Sequence, residues 1–265
     1  MPNSSQLLTA YDDQLRGAFL LNLPPGAHEE QDGPVFRSWG WMPRGFVIHR
    51  DLSQLTDAEL ESLIVRQCDY FAERDLAFEW KTFSQDRPAD FPERLLAAGF
   101  VPEERENLVI GLVSEMDQEP DLPAGVSLRE IDSPADMARL TEMLSEVWGE
   151  DLGYLGQMFL RELEANPGHV VVLVAEAAGK VVASARVNLV AGTDFATLWA
   201  GSTRPEWRGR GIYRATVAYR ARLAARRGRS YLQVDASEQS RPIPERLGFI
   251  TVASTTPYIW SPPAA

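Results

Sequence analysis

The sequence predicts an α+β fold with helices packed on a mixed, mostly antiparallel sheet. Three observations carry that expectation. Residues 126–260 run strand-like and helix-like in the order β-α-α-β-β-β-α-β-α-β. The three central strands are joined by hairpin-type turns instead of helical crossovers. A weaker version of the same order fills the first part of the chain, so two tandem copies are expected.

The second part is the clearer one. Residues 126–131, Val-Ser-Leu-Arg-Glu-Ile, alternate as a half-buried strand does. Ser133 and Pro134 supply an N-cap and a proline at the first helical position. Met137, Leu140, Leu144, Val147 and Trp148 follow at three- and four-residue spacing, one helix face. A second helix is expected over 154–165, stopped by Asn166-Pro167-Gly168. Segments 169–176, 181–189 and 195–203 read as strands turned at Gly179-Lys180 and Gly192-Thr193-Asp194. A helix over 212–227 ends at Gly228, a strand covers 231–234, a short helix lies near Glu245, and 250–260 closes the set.

In the first part, 35–41 and 45–49 read as short strands. Thr56-Asp57-Ala58-Glu59 is a capping box. It opens a helix with Leu60, Leu63, Ile64, Cys68 and Phe71 on one face. A strand over 76–83, a helix over 90–98 and a strand over 107–113 follow. Pro92-Glu93-Arg94-Leu95 before Gly99-Phe100 echoes Pro244-Glu245-Arg246-Leu247 before Gly248-Phe249. The echo points to a duplication at a spacing of about 150 residues, too long for a solenoid repeat. The acidic, Pro- and Gly-containing segment 117–125 reads as a linker, so the expected domains are 1–116 and 126–265.

Composition narrows the function classes. The chain has 265 residues, 45% hydrophobic and 24% charged, the mixture of a soluble globular protein with one large or two smaller domains. No run approaches the roughly 18 to 20 apolar residues that span a bilayer, so no membrane partner is expected. The first ten residues lack the basic and apolar stretches of a secretory signal, and a cytoplasmic protein is expected. Cys68 is the single cysteine and there are three histidines, so no metal site is expected.

The net charge of −12 divides as −11 on the first 118 residues and −1 on the remainder. Within the remainder, residues 203–229 hold nine arginines against Glu206 alone. A local basic block in an acidic protein suits a small anionic ligand better than nucleic acid, which needs a broad basic face. For the distal arginines, a solvated helix face is the simpler reading.

The informative stretch is 203–215, Thr-Arg-Pro-Glu-Trp-Arg-Gly-Arg-Gly-Ile-Tyr-Arg-Ala, set between a strand and a helix. Gly209 and Gly211 permit close backbone approach. Amides at a helix start lack intrahelical partners and lie at the positive end of the dipole, which together make a phosphate cradle. Arg208, Arg210 and Arg214 stand ready to add charge-assisted contacts. Neither a P-loop nor a Rossmann fingerprint is present.

In this stretch and its surroundings the chain resembles the GNAT family of N-acetyltransferases. The family's Arg/Gln-x-x-Gly-x-Gly/Ala signature fits Arg208-Gly209-Arg210-Gly211-Ile212-Tyr213 in all but the last position. Thr203-Arg204-Pro205-Glu206-Trp207 fits its lead-in, and 231–249 fits its following strand and helix ending in Leu-Gly-Phe. The resemblance implies acetyl-CoA as co-substrate. Amides of Gly209, Arg210, Gly211, Ile212, Tyr213 and Arg214 would hold its pyrophosphate. Backbone groups of Gly201, Ser202 and Thr203 would pair with pantetheine between two splayed strands. Ser237 stands where many members have Asn, although a loop or cap role suits it equally.

The chemistry implied is direct attack by a primary amine of a small molecule or peptide on the thioester, with an oxyanion held by an amide near Ser202 or Thr203. The usual tyrosine proton donor is replaced by Pro244. Tyr213 and then Tyr258 are the substitute candidates, each more often a packing aromatic. Asp235 is the candidate general base, unless it caps a turn, with Glu206 and Glu176 behind it. The acidic first part favours a cationic amine, and a monomer or homodimer is expected. The competing readings are a CoA-binding module without turnover and, a poor third, a nucleic-acid binder.

Overall fold

A computed structural model of the protein describes residues 2–16, 23 and 26–263. Residues 1, 264 and 265, the ends of the two expected domains, lie outside the described residues. The first half contains α1 (Ser4–Gln14), β1 (His28–Asp32), β2 (Val35–Trp39), β3 (Gly45–His49), α2 (Asp57–Ala72), β4 (Phe78–Phe83), α3 (Phe91–Ala97), β5 (Val101–Pro102), β6 (Glu106–Leu112) and α4 (Val113–Met116). The second contains β7 (Val126–Ile131), α5 (Pro134–Trp148), α6 (Tyr154–Ala165), β8 (Val170–Ala177), β9 (Lys180–Leu189), β10 (Phe195–Thr203), α7 (Ile212–Arg226), β11 (Tyr231–Ser237), α8 (Pro242–Arg246) and β12 (Ile250–Trp260). The α+β layout is the one the sequence predicts, down to the Ser133 cap of α5 and the Thr56 capping box of α2. Four elements had no counterpart in that prediction: α1, β1, the two-residue β5 and the four-residue α4. α1 buries only Leu7 and Tyr11, and β1, His-Glu-Glu-Gln-Asp, is defined by its backbone pairing with β2 and not by any apolar pattern.

Among the described residues the strands form one sheet in the order β1-β2-β3-β4-β12-β6-β11-β10-β9-β8-β7, with β5 beside β12. The centre of that order is an exchange. β6, the last strand of the first half, pairs antiparallel with β11 of the second. β12, the last strand of the second half, pairs antiparallel with β4 of the first, and β6 and β12 pair with each other. Each half therefore completes the other's sheet, and neither leaves an open edge at the junction. Residues 117–125 join the halves over the outside of α7. Arg222 binds Glu119 and lies near Asp117, and Arg214 meets Asp121 at 2.9 Å. The distal Arg222 thus holds the linker instead of standing free in solvent.

Strand alternation sorts the helices onto two faces. α1 lies across the junction, with Leu7, Tyr11 and Leu15 packed on Ile48 and Phe83 of the first half, on Leu108 and Ile110, and on Phe195 of the second. α5 and α6 cover the same face further along. Arg186 of β9 pairs with Glu162 of α6, and its cross-strand partner Trp199 lies four residues from Phe195. α2 and α3 pack on Val47, Phe78 and Trp80 from the opposite side, as α7 does on Val187, Leu198 and Leu232. The Pro-Glu-Arg-Leu echoes occupy α3 and α8, and the phenylalanines that follow, Phe100 and Phe249, are buried in the two respective cores. No helix among the described residues is long and apolar enough to cross a membrane.

Candidate active site

β10 and β11 run parallel but pair only through Phe195–Tyr231, Ala196–Leu232 and Thr197–Gln233. Beyond those three registers the strands part, leaving 198–203 and 234–237 unpaired with each other. Parted parallel strands expose main-chain donors and acceptors along an open slot, which suits an extended amide-bearing ligand.

A β-bulge marks the edge of that slot. The register shifts between Trp199 and Ser202, where β10 carries one residue more than β9, and Ala200 sits at φ +50°. A left-handed alanine costs roughly 1–2 kcal/mol, so its surroundings must hold it there. Ser184 does so, its buried hydroxyl donating to the Ala200 carbonyl at 2.7 Å. In a trans peptide the C=O and the next N–H point in opposite directions. Fixing the Ala200 carbonyl toward β9 therefore aims the Gly201 amide the other way, off β9. That is the placement an oxyanion donor requires, one residue before the expected Ser202. Space for it depends on Gly201 being glycine, because a Cβ there would stand 3.3 Å from the Tyr213 ring.

The slot leads to the start of α7. Gly209 and Gly211 have φ of +73° and +83°, conformations that favour glycine, and a Cβ on Gly209 would meet only open space. No side chain caps α7 and its first turn holds no acidic residue. The first helical amide bonded back is that of Ala215, to Gly211 O at 3.0 Å. The amides of Ile212, Tyr213 and Arg214 thus face outward at the positive end of the helix. Around them, Arg210 lies over the Trp207 ring at 4.8 Å, Arg208 Nε donates to Thr203 O, and Arg214 bonds to exposed Asp121. An ion pair so exposed is weak and easily replaced by a phosphate. These residues fit the diphosphate of a CoA thioester.

Two of the expected side-chain roles, those of Tyr258 and Asp235, are corrected, and Ser237 takes the cap role that was one of the two open to it. Tyr258 is the register partner of Trp80 and packs in the first half's core beside it, so the structure does not bring it to the slot. Ser237 accepts the Ser240 amide at 3.2 Å and donates to its hydroxyl, the turn-cap role. Asp235 is no free base. Lys81, from the first half, holds its carboxylate at 2.5 Å, and Gln233 donates to it as well. Burial opposes the ammonium, but Asp235, with Tyr11 and Glu106 behind it, holds Lys81 above its usual range. Glu176 is likewise engaged by Arg129 and Arg139. Glu206 stays on the short turn before the cradle. Cys68 is half-buried and burial pushes its thiol up to about 12, which makes it unreactive.

Tyr213 is where its position in the loop implied, against Gly201, with its hydroxyl bonded to Arg220. Arg220 was not singled out from the sequence. It is 1% exposed and, among the described residues, its partners are the neutral Tyr213, Thr216 and the Arg186 carbonyl. Burial lowers its guanidinium to about 10. Ser184 and Lys81 were missed too, because each acts on a partner distant in the chain. Among the described residues no group of His, Cys, Asp and Glu is arranged to hold a metal ion.

Comparison with known proteins bears on the fold and on the second half of the chain. Residues 129–249 match the profile of the Acetyltransferase (GNAT) family. No curated protein matches the chain in sequence. A GCN5-related N-acetyltransferase from Kribbella flavida superposes with a TM-score of 0.71 at 16% identity, over 95% of this chain and 95% of its own. A tandem GNAT protein from the clavulanic acid biosynthesis pathway gives 0.64 at 13%, over 94% and 87%. A GCN5-related N-acetyltransferase from Sphaerobacter thermophilus gives 0.63 at 14%, over 86% and 76%. The whole chain thus has the fold of these proteins, and residues 129–249 match the profile of the GNAT acetyltransferase family.

Proposed function

We propose that the protein transfers an acetyl group from acetyl-CoA to a primary amine, with 126–265 as the catalytic unit, 117–125 as its tether and 1–116 as a second copy that shapes the acceptor side. The uncapped start of α7, set directly beside the parted strands β10 and β11, carries the reading. Its outward amides and Arg208, Arg210 and Arg214 suit the diphosphate, and the strand edges at Gly201, Ser202 and Thr203 suit the pantetheine amides. Bound there, the thioester supplies an activated acyl group, and the Gly201 amide takes the charge that develops on its oxygen.

The acceptor side is open to a small molecule. A cleft of about 340 Å³ lies between residues 40–43 of the first half and α6, lined by Trp41, Met42, Tyr154 and Met158 with Gln157 and Arg161. Strand directions support that reading. β3 and β4 run opposite to β10 and β11, so the segment entering β3 shares an edge with the mouth of the slot. An amine with an apolar body, acting in the cytoplasm, fits that lining.

Calorimetry tests the reading. Acetyl-CoA is expected to bind once per chain, and Gly211→Trp to weaken it at least about 100-fold by filling the cradle. Unchanged affinity in that variant overturns the assignment. A second reading, a CoA-binding module without turnover, is favoured by one observation: Pro244, buried in α8, stands at the family's usual proton-donor position. Thiol release above background with any member of an amine panel rejects it.

A further inference from the structure

We propose that Glu106, a residue of the first half delivered to the second half's slot by the strand exchange, accepts the proton of the amine substrate. The proposal rests on the acyl-transfer reading and names the group that reading lacks. Glu106 opens β6 and is the register partner of Ser237, the last residue of β11, beyond the point where β10 has parted from it. It shares a face with Leu108 and Ile110, and therefore with Asp235, Lys81 and the α1 side of the sheet. That end of the sheet is also where the cleft between residues 40–43 and α6 opens.

Three carboxylates surround Lys81, and two of them are committed. Asp235 holds Lys81 at 2.5 Å, and Glu79 is bound by Arg44 at 2.7 Å. Glu106 makes only a 3.9 Å approach to Lys81 among the described residues. Its side chain is 37% exposed, whereas those of Asp235 and Glu79 are 11% and 13% exposed. It is thus the one member of the group that an amine or a bridging water can reach. The charges facing it are Lys81 and Glu79 from β4, Asp235 from β11 and Glu104 before its own strand; Tyr11 of α1 adjoins Lys81 and Asp235, and Thr255 opposite on β12 is neutral. Partial burial, with Asp235, Glu79 and Glu104 close by, outweighs Lys81 and lifts the carboxyl to about 7, the range in which a base works at neutral pH.

The proton balance is simple. An ammonium acceptor gives one proton to the Glu106 carboxylate, directly or through one water. The freed nitrogen pair forms the bond to the acyl carbon while the carbon–sulfur bond breaks, its pair going to sulfur. The second proton leaves nitrogen and ends on the thiol, and Glu106 returns its own to solvent.

Glu106→Gln, nearly isosteric, is the test, assayed with the amine that gives the fastest thiol release. Expected are unchanged acetyl-CoA affinity and melting temperature, kcat lower by about 100-fold at pH 7, and loss of the acidic limb of the kcat profile. Carbon-13 spectra of glutamate-labelled protein should show one carboxyl titrating near 7, absent from the variant. A variant that keeps kcat and the acidic limb, or a spectrum without that carboxyl, overturns Glu106 and leaves acyl transfer standing. A wild-type protein that binds acetyl-CoA but releases no thiol overturns the parent reading, and this one with it.

Discussion

The two halves contain the same device, open in one and filled in the other. In the first half β3 and β4 run parallel and pair through three registers, Gly45–Phe78, Phe46–Glu79 and Val47–Trp80, before they part, as β10 and β11 do. What occupies the gap differs. Arg16 donates to the His49 carbonyl on β3 at 2.7 Å and to Asp86 at 2.5 Å, and Asp86 accepts the Phe83 amide of β4 at 2.7 Å. The main-chain groups that a pantetheine arm would use are thus served from within. His49 completes the plug. Trp80 donates to its Nδ1, so its proton sits on Nε2, facing Asp86 at 3.0 Å. β2 and β3 pair without the bulge that β10 carries.

The helix starts differ in the same sense. Before α2, Asp51 accepts the Ser53 amide, and Thr56 and Glu59 bond to each other's amides. The first turn of α2 adds Asp57 and Glu59, which repel a phosphate, whereas α7 has no cap and no acidic first-turn residue. The lesson is that this fold fixes a gap and a helix start in each copy, while side chains decide whether they are a ligand site or part of the core.

Three measurements break or sharpen that comparison. The largest effect is expected from Arg16→Ala, which leaves Asp86 buried without its cation. Urea unfolding should show a loss of about 3–5 kcal/mol, with acetyl-CoA stoichiometry still one. A second acetyl-CoA bound by that variant would show the plug to be an occupied ligand site. Next comes the pH response. Burial holds His49 below the free imidazole value, so the unfolded chain binds the extra proton first. Stability should fall as the pH drops below about 6.5, by up to about 1.4 kcal/mol per unit, and His49→Gln should flatten that slope. A slope unchanged in the variant assigns the effect elsewhere. The smallest is Thr56→Ala. Losing the cap should cost about 1 kcal/mol and leave acetyl-CoA affinity untouched; weaker binding would show that α2 takes part in the site.

Much of this was legible in local pattern. The α7 start at Ile212, the limits of α6 and β12, and the paired Pro-Glu-Arg-Leu segments follow from caps, glycines and periodicity within a few residues. The surroundings of the side chains expected at the slot were harder. Asp235 reads locally as a turn residue, but its partner Lys81 lies 154 positions away. Tyr258 sits near the end of a strand that sequence order assigns to the second half, yet it packs in the first. Glu106 carries no motif at all, and its proposed role comes from the strand it opens being placed beside β11.

The sequence by itself determined most of the helices and strands and the glycine bend before α7, because hydrogen bonding and side-chain periodicity act over one or two turns of chain. Only the tertiary structure decided which copy stays open and which groups meet at its slot. Strand exchange and the buried Lys81–Asp235 pair join residues more than a hundred positions apart, and their energies depend on burial, which exists only once the two halves have closed on each other.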